Sequence, residues 1–227
     1  MAQLLYPRDS TQKHLSATRR HLRLCKQVKN TQGLVKQITP AYELVREKDQ
    51  VLQETKILRE DRYDDMLMAD NQLDDSVRNL FRRCEEYDRT HPGELVLLQI
   101  FPDGKFSHIV NMNREEEPAA VEKLAMRLEN LGEKHPLYAL AQELRTFINA
   151  SLKAIRAYQE SVQVLKVCET ECEMARTALR RQYEVNYLDA RKQLGKKLAE
   201  RLFPSLNARS LSDKTSADVE EATTADS

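Results

Sequence analysis

The last third of the chain sets the strongest constraint on its fold. From Leu137 to Phe203 there is no proline and a single glycine, Gly195, and Pro204 closes the run. An apolar line passes through Leu144, Ile148, Ser151, Ile155, Tyr158, Val162, Leu165, Cys168, Cys172, Ala175, Leu179, Tyr183, Tyr187, Ala190, Leu194, Leu198 and Leu202, advancing 58 residues in 16 steps. A mean step of about 3.6 is the period of a straight α-helix, not the 3.5 of a strongly supercoiled one. Such a helix has one apolar face and needs other helices beside it to cover that face.

Residues 40–90 repeat the pattern without Gly or internal Pro, through Val45, Leu52, Leu58, Met66, Ala69, Leu73, Val77, Leu80, Cys84 and Tyr87. Thr39-Pro40 reads as its start, with Pro in the first turn. Residues 10–32 carry Leu15, Leu22, Cys25 and Val28 at helical spacing, opened by an Asp9/Gln12 capping box. That helix ends near Gly33, or runs on to Ile38, since Val35 and Ile38 keep its line. A short helix over 118–131 follows Pro118 and stops at Gly132.

One segment reads as β structure. Glu94–Phe101 and Phe106–Met112 are apolar runs flanking Pro102-Asp103-Gly104-Lys105, a turn with a left-handed Gly. A lone hairpin is marginal in water, so 94–112 is expected to lie on helices or on another chain.

The fold class is therefore mainly all-α. The expected form is an elongated antiparallel, coiled-coil-like bundle with a β-hairpin between its second and third helices. Residues 1–9 form an N-terminal extension, 10–204 one elongated bundle with helices at 10–32, 40–90, 118–131 and 137–203, and 205–227 a Ser-, Thr- and acid-rich disordered tail. Matching lengths suggest that 153–203 lies antiparallel to 40–90 while 137–152 pairs with the short helix. The bundle would reach on the order of 100 Å at 1.5 Å per residue.

Charge fits this pairing. Lys+Arg and Asp+Glu are both 36, so no net field draws the chain to nucleic acid or anionic membrane. Residues 8–30 and 176–201 are basic and 43–75 are acidic, and opposite-sign flanks select helix partners. Met1–Arg8 lacks the basic start and apolar core of a signal peptide, no window suits a membrane span, and four cysteines are too few for a disulfide framework. These features predict a cytoplasmic protein that is not integral to a membrane.

The residues that could carry chemistry read as structural. Cys168 and Cys172 share a face at i,i+4 but are two of the four ligands zinc wants, and Cys25 and Cys84 fall too far along the bundle to complete the set. The five histidines, His14, His21, His91, His108 and His135, occur in no Glu-x-x-His or His-Glu-x-x-His arrangement. Asp61, Asp64, Asp65, Asp70, Asp74 and Asp75 read as a solvated or Arg-paired face. The five glycines never cluster, so no phosphate cradle can be written. No catalytic residue, cofactor or metal is expected, and the chain is expected not to be an enzyme.

Long antiparallel helices with a mid-chain hairpin resemble the rotor stalk subunit of rotary ATPases, and are similar to the α-helical pore-forming toxins with a β-tongue. Both likenesses are of architecture, and no functional residue is transferred. Polar Asp103 and Lys105 at the tip, with Gln99, Ser107, His108 and Asn111 in the strands, argue against a membrane tongue. The expected function is that of a soluble, non-catalytic scaffold or assembly component with a protein partner or a second copy. The hairpin residues Val96, Leu98, Ile100, Phe106 and Ile109 are its candidate contacts. The alternatives are a membrane-active protein and a nucleic-acid binder using the basic faces.

Overall fold

The computed structural model describes Ala2 and residues 4–204, and the expected disordered tail lies outside them. Seven helices follow in order: α1 Thr11–Cys25, α2 Gln32–Thr90, α3 Val96–Ile100, α4 Ser107–Val110, α5 Glu117–Glu129, α6 Ala139–Leu194 and α7 Lys196–Leu202. No strand occurs among the described residues. The all-α class holds; the inserted β-hairpin does not.

Local chemistry places the helix ends. Ser10, not Asp9, caps α1, its hydroxyl accepting from the Lys13 N–H at 3.3 Å. The Asp9 carboxylate instead accepts from the Tyr6 N–H and the Lys13 ammonium. The first break comes after Cys25, before either expected end. Asn30 adopts a left-handed φ of 66°, and the Thr31 hydroxyl donates to the carbonyls of Val28 and Cys25. The Cys25 carbonyl ends α1 and the Val28 carbonyl lies in the turn after it, so one side chain answers a group that the finished helix leaves open and ties down the turn. Gly33 and Pro40 then fall inside α2. Pro40 has no N–H to give the Lys36 carbonyl; both residues are exposed, and the nearby Thr39 hydroxyl donates to the Val35 carbonyl.

The described residues form two compact units. One combines the part up to Glu54 with the part from Lys166; the other is Thr55–Leu165. In the first, α1 and α7 close a core on α2 and α6 that contains Leu34, Ile38, Val45, Leu179, Tyr183, Leu202 and Phe203. Here α2 and α6 run antiparallel: Asn186 donates to the Leu34 carbonyl at 2.8 Å and Lys48 pairs with Glu171 at 2.8 Å. This register differs from the expected one, which would set Lys48 opposite about residue 195. Both ends contribute: α2 begins at Gln32, ahead of the expected start, and the helix expected to reach 203 stops at Leu194, because φ 79° and ψ 164° at Gly195 suit only glycine and α7 turns aside. Phe203 then packs against Tyr183 and Tyr187.

In the second unit, α3, α4 and α5 pack with α2 and α6 around Leu73, Val77, Leu80, Val96, Ile100, Phe101, Leu124 and Leu144. The segment expected to be a hairpin lies here. Its turn is real: Gly104 has φ 61° and donates its N–H to the Phe101 carbonyl at 2.8 Å. Its flanks are helical because two short strands with no third would leave backbone groups unpaired. The Asp88 carboxylate supplies a further cause by accepting from the Val96 and Leu97 N–H groups at 2.8 and 3.0 Å. It caps α3 from the last turns of α2.

Side-chain burial separates the two readings. In a strand Val96, Leu98 and Ile100 would share a face; instead Val96 and Ile100 are 1% and 0% exposed and Leu98 is 50%. Ile100→Ala should therefore cost about 2–5 kcal/mol and Leu98→Ala less than about 0.5 kcal/mol in urea unfolding followed by circular dichroism. Equal losses at the two positions would favour the strand.

Candidate functional site

The richest polar cluster grows from an i,i+4 pair on α1, His21 and Cys25. Both are buried, with the Cys25 Sγ 3.6 Å from His21 Nδ1 and 3.7 Å from Nε2. His21 Nδ1–H donates to the Leu202 carbonyl at 3.1 Å, and Asn186 Nδ2 donates toward His21 Nε2 at 3.3 Å. A carbonyl only accepts and an amide nitrogen only donates, so these partners fix a neutral ring protonated at Nδ1. Gln182 donates to Asn186 Oδ1, and Phe203 stacks on the imidazole at 4.1 Å.

Cysteine, histidine and asparagine together are the residue types of an acyl-transfer site, but the electrostatics oppose that chemistry. A working pair keeps a thiolate beside an imidazolium. Here burial pushes the Cys25 thiol up to about 11 and the His21 imidazole down to about 4, so both are neutral. The network ties α1 to α2, α6 and the end of α7. Beside it an open cleft of about 480 Å³ is lined by Cys25, Val28 and Val35 and by Lys26, Lys29 and Lys36.

A second cluster lies at the start of α5. The aspartates of α2 are paired in part: Asp65 with Arg62, Asp70 with Arg114, and Asp74 and Asp75 with Arg78. Glu117 is the buried carboxyl that faces Asp74 and Asp70. Burial first, then the two aspartates, raise it to about 8. Glu117 Oε1 and Asp74 Oδ1 are buried without partners, which a proton on Glu117 answers better than a charge. Nothing local in the sequence marks Glu117, since an acid before Pro118 reads as an ordinary first-turn residue. Among the described residues, no three His, Cys, Asp or Glu side chains converge as a metal site.

The five hairpin candidates part company. Val96, Ile100 and Ile109 are buried in their own unit's core, Phe106 packs on Phe81 at 5.0 Å, and Leu98 faces solvent. A different outward surface stands out in the first unit. The core face of α6 carries Cys172, Ala175, Leu179, Tyr183, Asn186 and Ala190. Turned about a third of a revolution away, a second line holds Val167, Met174, Ala178, Val185 and Leu188, at 100° per residue. All five are exposed, Val167 by 57% and Met174 by 69%. The expected apolar line tracked only the core face.

No protein-family model matches the chain, and searches of curated proteins and of solved structures found no match.

Two titrations test the buried clusters. His21 has a folded pKa below its unfolded value, so its contribution is present above about 6.5 and is lost as pH falls toward 4. Its ring resonances should hold their neutral positions down to about pH 5 and shift near 4; titration near the ordinary 6.5 would contradict the buried network. Glu117 has the opposite sign: the stability that its protonation gives is full below about 4.5 and is lost as pH rises through about 8. Glu117→Gln should raise stability at pH 9 by about 1–3 kcal/mol and change it little at pH 5, measured by urea unfolding.

Proposed function

We propose that this chain is a non-catalytic helical protein of a reducing, cytoplasmic compartment, and that it works by holding another protein chain. The observation that carries the reading is the outward apolar line of α6. Scattered exposed apolar residues are ordinary on soluble proteins. Four of these, Val167, Met174, Ala178 and Val185, fall within about 20° of one direction at 100° per residue, and a partner helix seats on a line of that kind. Free cysteines support the compartment. The neutral states of His21 and Cys25 argue against catalysis at the residues best suited to it.

The alternatives are less well supported. A membrane tongue would need the 94–112 segment, whose Val96, Ile100 and Ile109 are engaged in a core. No helix among the described residues is long and apolar enough to cross a membrane. A nucleic-acid groove along α1 and α6 has no net charge behind it, since Lys+Arg and Asp+Glu are equal, and Arg176 there pairs with Glu173 on its own helix.

A photo-reactive amino acid at position 174 of the full chain, activated in living cells, should cross-link a discrete protein species. The same group at Glu169, on the opposite side of α6, should give none. Absence of any cross-linked protein at position 174 would remove the proposed function. Met174→Asp should abolish the association yet change folding stability by less than about 0.5 kcal/mol, as expected for an exposed position.

A further inference from the structure

The outward line of α6 carries its own partner's description. Its positions are Val167, Glu171, Met174, Ala178, Arg181 and Val185, all exposed and all on α6. The steps between them are four, three, four, three and four, a series that reads the same in both directions. Laid against its own reversed copy, Val167 meets Val185, Met174 meets Ala178, and Glu171 meets Arg181. Apolar residues face apolar ones, a large side chain faces a small one, and the single charged step pairs opposite signs.

We infer that this face of α6 is the docking site for the same face of a second copy of the chain, the two helices running antiparallel about a two-fold axis beside residue 176. The inference rests on the interaction reading above and names its partner.

Charge selects both the partner and the direction. Glu171 and Arg181 are the charged residues on this face, one on each side of residue 176. Antiparallel pairing sets each Glu171 on the other copy's Arg181, whereas parallel pairing sets Glu171 on Glu171 and Arg181 on Arg181, which repel. Glu171 keeps its pair with Lys48 and is still 46% exposed, so one side of its carboxylate stays open to a partner. Under three heptads are involved, so straight helices drift only modestly, about 20° per heptad, from the shared seam. Contact along one helix face is at the small end of interface sizes, which fits a reversible dimer better than a permanent one.

Sedimentation equilibrium of the full chain, from about 1 to about 300 μM, tests this directly. The wild type should pass from monomer to dimer within that range. Glu171→Arg alone and Arg181→Glu alone should each raise the dissociation constant by about tenfold or more, because each replaces two attractive contacts with two repulsive ones. An equimolar mixture of the two variants should recover the dimer, since every cross-helix pair is again of opposite sign, and so should the double variant. Circular dichroism of each variant checks that the fold is kept. A wild type that remains monomeric throughout, single variants that dimerise like the wild type, or a mixture that stays monomeric would each overturn the inference. If the wild type is monomeric while position 174 still cross-links a different protein in cells, the second copy is wrong and the interaction reading stands.

Discussion

Two helices laid side by side cover only one stripe of each other, and every short element of this chain answers that shortage. The long helices, 59 and 56 residues, supply apolar lines but no third layer. In the first unit α1 and α7 close the open flank, with Phe203 stacked on His21 and the Leu202 carbonyl accepting a hydrogen bond from the ring N–H. In the second unit α3, α4 and α5 do so with Val96, Ile100, Ile109 and Leu124. Burial at these places forces neutrality on the polar groups caught there. That is why His21 holds its proton less readily than usual, and why Glu117 holds its proton more readily.

The helical class and most of the core of α2 and α6 were legible because a 3.6-residue period sustained over many turns has no competing reading. Val45, Leu73, Val77, Leu80, Leu179 and Tyr183 all lie on the expected lines and are buried. The breaks were less legible. Gly33 looked like a stop and is not one, whereas Asn30 and Thr31 make the real stop through a left-handed φ and a hydroxyl aimed at two carbonyls. Gly195 looked like a tolerated glycine and is the hinge that turns α7 away. That misjudged end, together with the start of α2 at Gln32, shifted the expected register between the long helices.

The segment from Glu94 to Met112 shows what local pattern leaves undecided. Its turn was read correctly, since Pro102, Asp103 and Gly104 each have a turn-forming reason. Its flanks were not, because a five-residue apolar run fits a strand and a helical turn equally well. The Asp88 carboxylate, held on α2, decides for the helix. The candidate site was hidden for a similar reason. His21 and Cys25 are an evident i,i+4 pair, but Asn186 and Leu202 lie far away in sequence and only the fold brings them together. The outward face of α6 was written in the sequence all along, overshadowed by the longer line that forms the core.

Amide hydrogen exchange resolved along the chain tests most directly whether the short helices close the two cores. The amides of 99–101 at the end of α3 and 199–203 at the end of α7 should exchange in the same slow class as the flanking turns of α2 and α6, because they open only when their unit opens. Loop-like exchange at those residues, with the long helices still protected, would contradict the account.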